Sequence, residues 1–401
     1  MSKYLRIGTD YYKKAQVPLH SGDKYNALLR WKKSEIITDE GKAIIDTIER
    51  FDGFCLIPSH TNFQENIEGF YNKYEKVIHE FKLGEFKKTE AFLKHIFGSQ
   101  YDLGLDYLSI LWKKPTQILP ILCLVSEERK TGKTTFLNWL KLIFQGNMTI
   151  NKNEDFRSRF NSDWSSKLIV SVDEVLLDKR EDSERIKNLS TANTYKTESK
   201  GVDKVEANFF GKFILCSNNE DNFINIDKNE IRYWIRRVPA LADENENPDL
   251  LKELHKELPY FMHFLNTRKI LTKKRTRMWF SKTQIHTAAL DRLINGNKTY
   301  LHKEISELIM DDFIKYDVDE LKYSVGELKD KLANNNLRVN THKVSTILKD
   351  HFELTSTNGS YDFHFLSINP LDNKQMVSSE KRKGRYFTFN KNDYLPALAS
   401  A

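Results

Sequence analysis

The chain has 401 residues, 39% of them hydrophobic, with 25 Phe and 17 Tyr; that aromatic content excludes a disordered chain, and the length predicts two or three domains at roughly 150 residues each. Three cysteines without a C-x-x-C pair exclude a disulfide framework or a cysteine-rich zinc module, and 11 histidines without H-E-x-x-H spacing argue against a metal held entirely by side chains. The 63 Lys and Arg exceed the 56 Asp and Glu by only 7, so partners must be read from where charge sits rather than from its total.

The first six residues lack the apolar core of a signal peptide, and Lys113-Lys114-Pro115 interrupts the most apolar stretch, 107–125. The expectation is a cytoplasmic protein with no membrane span. Residues 1–88 are predicted to form a mostly helical N-terminal region, in which Gly69-Phe70-Tyr71-Asn72-Lys73-Tyr74 takes no assigned shape. Over 89–116, Phe92, Ile96 and Phe97, then Leu105, Leu108, Leu111 and Trp112, predict two short amphipathic helices that form a lead-in closed by Pro115.

From 117 to 240 the pattern changes. Apolar, β-branched runs at 118–125, 168–172 and 213–216 alternate with helical or polar stretches, which predicts an α/β core with a mainly parallel sheet covered on both faces. Residues 241–280 read as a helical basic linker: a helix near 250–265, then Arg268, Lys269, Lys273, Lys274, Arg275 and Arg277 without an acid among them. Residues 281–401 read as a separate winged-helix-like DNA-binding domain. Ser324-Val325-Gly326-Glu327 is a capping box before a helix with Val325, Leu328 and Leu332 on one face. A second helix from about Thr341 turns Val344, Ile347 and Leu348 inward and Lys343, Thr346 and Lys349 outward. Tyr361, Phe363 and Phe365 alternate as one strand, Phe387 and Phe389 as another, and Lys381-Arg382-Lys383-Gly384-Arg385 between them predicts a basic ribbon tip. Lys274, Arg275, Lys343, Lys349, Lys383 and Arg385 are the expected phosphate contacts.

The sharpest signal is Ser126-Glu127-Glu128-Arg129-Lys130-Thr131-Gly132-Lys133-Thr134-Thr135, between the apolar run ending at Val125 and a helix carrying Phe136, Leu137, Leu140 and Phe144, with Gly146 at the expected helix end. Strand, loop, Gly-Lys-Thr, helix is the context of a phosphate-binding loop. Open amides at a helix start, here over Thr131, Gly132, Lys133, Thr134 and Thr135, donate hydrogen bonds to phosphate oxygens. Lys133 supplies a point charge to the β- and γ-phosphates, and the Thr134 hydroxyl is suited to Mg²⁺. The first glycine of G-x-x-x-x-G-K-[ST] is replaced by Glu127, which either faces solvent or weakens nucleotide binding. The run Leu168–Val172 ends in Asp173-Glu174: Asp173 would hold Mg²⁺ through water, and Glu174 would orient and deprotonate an attacking water. A third run ends in Ser217-Asn218-Asn219, where Asn218 would stand beside the γ-phosphate. Finally, Glu230-Ile231-Arg232-Tyr233-Trp234-Ile235-Arg236-Arg237 offers an arginine suited to reach a neighbouring subunit. Each piece alone also fits an ordinary turn or strand edge; four in this order predict an NTPase using Mg²⁺.

These residues resemble the superfamily 3 helicases, particularly the helicase part of phage and mobile-element primase-helicase proteins, over roughly residues 90 to 240 and more loosely beyond. The Walker A motif resembles 127–134, departing at Glu127; Walker B resembles 168–174; and motif C resembles 213–218 with Asn218 as sensor. The arginine finger is similar in position to Arg232, with Arg236 and Arg237 as alternatives. The resemblance also implies a channel-facing hairpin over 195–204, with Gly201 at its tip and Lys200 or Lys204 touching DNA. It further implies a ring, usually a hexamer, with ATP and Mg²⁺ as cofactors between subunits and single-stranded DNA in the channel. About 90 residues precede the lead-in, too few for a fused primase, so any primase or polymerase involved is expected to be a separate chain.

The leading expectation is an ATP-dependent DNA helicase acting on single-stranded and forked DNA in replication of a phage, plasmid or integrated mobile element. The alternative is a nucleotide-switched replication initiator without processive unwinding. Translocation along duplex DNA shares the same core.

Overall fold

A computed structural model describes residues 3–18, 24–154, 164–177, 180–192, 194–199, 202–224, 226, 230–241, 247–296, 300–335, 337–368 and 375–394. The chain divides into two compact units, Met1–Asn297 and Lys298–Ala401.

The first unit opens with β1 (Tyr4–Ile7), β2 (Asp10–Pro18), β3 (Lys24–Trp31), the short helices α1 (Lys33–Glu40) and α2 (Ile44–Thr47), and β4 (Glu49–Phe51). They form a four-stranded sheet in the order β3-β2-β1-β4. The small strands β5 (Phe54–Cys55), β6 (Asn66–Ile67) and β7 (Phe70–Asn72) make a second sheet. The expected mostly helical region 1–88 is therefore corrected: up to Asn72 it is predominantly β. Gly8, at φ 60, turns β1 back into β2 in a tight hairpin connection, a left-handed position that suits glycine. The unassigned segment 69–74 supplies β7, which pairs with both β5 and β6.

The lead-in helices are α3 (Lys87–Phe97) and α4 (Tyr101–Lys113), as the i, i+3, i+4 spacing predicts. The core follows as β8 (Ile121–Val125), α5 (Lys133–Phe144), β9 (Met148–Asn151), β10 (Ile169–Val172), α6 (Arg180–Ser190), the hairpin β11 (Thr194–Ser199) and β12 (Val202–Asn208), β13 (Lys212–Ser217) and β14 (Tyr233–Arg237). Five of these strands form a parallel sheet in the order β14-β8-β13-β10-β9. β8 is buried along its whole length. Its alternate residues feed opposite faces: Leu122 and Leu124 pack with α3, α4 and α5, whereas Ile121, Cys123 and Val125 pack with α6 and β14 residues. A strand flanked by partners on both sides and helices on both faces must read as an unbroken apolar run. The expected helix end at Gly146 falls one residue early: Gln145 takes the left-handed φ of 48, and the Glu75 carboxylate lies over the face of Gly146 where a Cβ would stand.

Beyond the sheet come α7 (Leu250–Thr267), α8 (Lys282–Ile285) and α9 (Ala288–Gly296). The expected linker 241–280 is not a linker. Leu254, Leu258, Phe261, Met262 and Leu265 of α7 are buried in the same cluster as α3–α5, and Leu290 and Leu293 of α9 are buried with β14. The boundary expected at 280/281 lies instead after Asn297. The basic run begins with a structural residue: Arg268, 8% exposed at its side chain, pairs with the buried Asp106 of α4, which also accepts the amides of Leu271 at 3.1 Å and Thr272 at 2.6 Å. Asp106→Ala strands a buried guanidinium and two amides, and is expected to lower unfolding free energy by about 3 kcal/mol, read from the urea midpoint.

The second unit runs α10 (Tyr300–Tyr316), β15 (Glu320–Tyr323), α11 (Val325–Asn334), α12 (Thr341–Asp350), β16 (Thr357–Ile368), β17 (Gln375–Asn390) and α13 (Lys391–Tyr394), with the antiparallel sheet β15-β17-β16. The capping box forms as read: Glu327 N donates to Ser324 Oγ at 3.2 Å and Ser324 N to Glu327 Oε2 at 2.6 Å. Leu328, Leu332, Val344, Ile347 and Leu348 are buried. The expected basic tip is corrected, because Lys381–Arg385 lie inside β17, paired with 358–362 of β16. The tip itself lies outside the described residues. Arg382 serves packing: its guanidinium stacks 3.6 Å from the Phe363 ring centroid and donates to Glu327 at 2.6 Å. Among the described residues no helix is long and apolar enough to cross a membrane.

Candidate functional site

The site is built where the parallel strands end. β8 delivers the chain into the loop 126–132, and Gly132, at φ 85, caps α5. A side chain at Gly132 would meet this strained φ and stand 3.1 Å from the Phe92 ring, so the close turn requires glycine. The loop is braced from α3 by His95, whose Nε2 lies 2.9 Å from Thr131 O, and from within by Ser126 Oγ, which accepts the Glu128 amide at 3.0 Å. The first amides of α5 thus point out of a fixed turn, with the positive end of the helix dipole behind them.

Lys133 is 6% exposed and its Nζ donates to Thr131 Oγ1 at 3.1 Å; burial lowers its pKa below the ordinary lysine value. Thr134 Oγ1 donates to Asp173 Oδ2 at 3.0 Å, so the loop after β8 and the carboxylate after β10 meet directly, although β13 lies between their strands. Glu174 adopts a left-handed φ of 54, with its amide donating to Asp173 Oδ1 at 3.1 Å and its carbonyl accepting Asn153 Nδ2 at 3.1 Å; its carboxylate faces solvent. A non-glycine residue held left-handed beside the loop is strain of the kind found at functional sites. Asn218 follows β13 and is exposed; Ser217 pairs in register with Val125, so Asn218 leaves the sheet at the level where the Gly-Lys-Thr loop begins. Lys133, Thr134, Asp173, Glu174 and Asn218 therefore share one end of the sheet, and Thr131, Gly132 and Thr135 come with them.

Arg232 does not. It precedes β14, whose Tyr233 is in register with Ile121 and whose Arg237 is in register with Val125. Arg232 thus lies at the amino edge of the sheet, its Nη1 at 2.9 Å from both oxygens of the buried Glu230. Arg236 is half-buried and donates to Gln100 at 3.0 Å. Of the three arginines, Arg237 alone sits at the loop's end of the sheet, where its Nε donates to Glu220 at 3.0 Å, a hydrogen bond that raises its pKa.

Three residues escaped the sequence reading. Glu220, 2% exposed at its side chain, accepts the Glu127 amide at 3.2 Å and the Arg237 guanidinium. Arg292 of α9 donates to Asp221 at 2.8 Å and Glu220 at 2.7 Å, and pairs with Glu127 itself; hydrogen bonding to Asp221, then the charges of Glu220, Asp221 and Glu127, raise its pKa. The acidic pair after Asn219 is visible in the sequence; its partner stands some seventy residues on, outside the segment read as the core.

Among the expected DNA contacts, Lys274 and Arg275 are exposed between α7 and α8, Lys343 and Lys349 are exposed on α12, and Lys383 and Arg385 are exposed on β17. Lys204 lies in β12, so the hairpin forms where the resemblance implied one; Lys200 and Gly201 lie outside the described residues. Among the described residues no three His, Cys, Asp or Glu side chains gather to hold a metal. What the site offers a cation is one hydroxyl beside one carboxylate, Thr134 and Asp173, a set that fits Mg²⁺ retaining most of its water or phosphate oxygens.

A family of unknown function, DUF5906, matches residues 124–237, which spans the end of β8, the loop after it, and the other four strands of the parallel sheet through Arg237. No curated protein matches. Among solved structures, the chain resembles the NrS-1 C-terminal region. One apo form aligns with a TM-score of 0.62 at 13% identity, covering 96% of this chain and 95% of that one. Another aligns with a TM-score of 0.59 at 16% identity, covering 86% and 83%. The fold is shared. The sequences have diverged far enough that the likeness speaks of architecture alone.

Proposed function

We propose that this chain is an ATP-dependent DNA helicase of a replication system carried by a phage, plasmid or mobile element, with a P-loop NTPase core and a winged-helix unit that binds DNA. The observation that carries the reading is the Thr134–Asp173 hydrogen bond beside buried Lys133, at a left-handed Gly132 on the carboxyl end of a central parallel strand. In this reading the amides from Thr131 to Thr135 and the Lys133 ammonium hold the phosphates of ATP. Thr134 and Asp173 hold Mg²⁺, which when bound neutralises charge on the phosphate oxygens. Glu174 orients and deprotonates the attacking water, and Asn218 senses the terminal phosphate. Arg232, remote from its own chain's loop, would serve only the site of a neighbouring copy in a ring; Arg237 is the residue better situated for the chain's own site.

The test is unwinding of a forked duplex with ATP and Mg²⁺, run beside a sizing measurement with and without nucleotide. DNA-stimulated hydrolysis with strand separation and a nucleotide-dependent ring is expected. Nucleotide-dependent oligomers on duplex DNA without unwinding would favour the initiator; no binding of any adenine or guanine triphosphate with magnesium would overturn the nucleotide reading altogether. For the DNA surface, neutralising Lys349, Lys383 and Arg385 together is expected to flatten the slope of log affinity against log salt by about 0.7 to 0.9 for each lost phosphate contact. An unchanged slope would return those side chains to ordinary solvated positions.

A further inference from the structure

The departure of the loop from G-x-x-x-x-G-K-[ST] has a structural counterpart. At the position of the motif's first glycine stands Glu127, whose carboxylate is paired with Arg292 from α9, while its own amide is held by Glu220. The same guanidinium reaches Glu220 at 2.7 Å and Asp221 at 2.8 Å in the turn after β13. Arg292 is in turn fixed by its helix: Thr287 Oγ1 donates to Ile235 O of β14 at 2.6 Å, and Leu290 and Leu293 are buried against the sheet. One forked side chain therefore ties together the phosphate-loop candidate, the turn that carries Asn218, and a helix outside the 117–240 segment.

We propose that Arg292 is a positioning residue for triphosphate binding: it neutralises the carboxylate that replaces the loop's first glycine and pins it to the turn after β13. This rests on the nucleotide reading above. The charge count gives the reason. Glu127, Glu220 and Asp221 face Arg237 and Arg292, so three carboxylates are met by two guanidiniums. Removing Arg292 takes one of two guanidiniums from the buried Glu220, which keeps Arg237 and the Glu127 amide, and sets the Glu127 carboxylate unpaired in a loop that must accept a polyanion. Arg292 and Glu127 are half-exposed, 42% and 55% at their side chains. Their pairing therefore adds little to global stability, and the expected effect is local, on the affinity of an anion. Arginine suits this position better than lysine because its planar fork spreads five donors toward three separate carboxylates, whereas an ammonium concentrates three donors at one point.

The experiment is calorimetric binding of MgATP to the full chain at low and moderate salt, for wild type, Arg292→Gln, Arg292→Lys, Glu127→Gly and the Arg292→Gln/Glu127→Gly double variant. The expectation is about tenfold weaker binding for Arg292→Gln, with the loss larger at low salt, and a smaller loss for Arg292→Lys. Glu127→Gly is expected to bind as well as wild type or more tightly, and the double variant to recover to within about threefold of wild type. Wild-type affinity in Arg292→Gln, or a double variant as weak as Arg292→Gln, would overturn the role, the latter because the effect would then run through Glu220 and Asp221. Weaker binding by Glu127→Gly would overturn it independently of how the Arg292 variants fold. If wild type itself bound no MgATP, the nucleotide reading would fail first and this role with it.

Discussion

Lys133→Ala is expected to cut ATP hydrolysis by about 10²–10³ and to abolish DNA unwinding, while leaving the thermal unfolding midpoint within about 2 °C of wild type. The two halves of this expectation come from the same fact. Lys133 is 6% exposed, and burial lowers its pKa, so the folded chain holds the cation at a cost. Removing the charge relieves that cost and offsets the small loss of packing around the aliphatic stem. A structural lysine would behave in the opposite way: its loss would lower the melting point. Steady-state hydrolysis with and without single-stranded DNA, measured beside a melting curve, separates the cases. Wild-type-like unwinding by Lys133→Ala would remove the helicase reading.

Glu174→Gln is expected to lower single-turnover hydrolysis by about 10²–10⁴ while nucleotide affinity stays within about twofold. The carboxylate is exposed beside Asp173, and the backbone is fixed by the Glu174 amide on Asp173 and the Glu174 carbonyl on Asn153. Glutamine keeps the size and the left-handed backbone but cannot take a proton. Asp173 and Thr134, which in the proposed reading would hold Mg²⁺, are untouched, so binding is expected to survive. A drop in affinity equal to the drop in rate would move Glu174 from base to ligand.

Much of the core was legible because its signals are local. The apolar run of β8 is continuous since partners cover both its edges and both its faces, and the lead-in helices carry apolar residues at helical spacing on one face. The N-terminal sheet was not legible. In β2, Tyr12 is the single buried residue among nine, so no two-residue alternation stands out, and pairing with β1 and β3 rather than pattern makes it a strand. The second unit's helices and strands followed their periodicity, but the basic run was misplaced because β17 extends well past it on the tip side and Arg382 is spent on Phe363 and Glu327. In the candidate site, the residues one or two positions beyond a strand end were readable from sequence. Arg292 was not: its partners Glu127 and Glu220 lie far up the chain, and only the docking of α9 on β14 brings them together.

The order β14-β8-β13-β10-β9 also governs how the chain must be made. β8 emerges from the ribosome early, yet both strands that flank it, β13 from Lys212 and β14 from Tyr233, are synthesised long afterwards. Until the second of them has cleared the exit tunnel, Ile-Leu-Cys-Leu-Val is a naked, sticky edge on a nascent chain. Any truncation upstream of Tyr233 keeps it so permanently, and such fragments are bound for chaperones or inclusion bodies rather than for a smaller working protein.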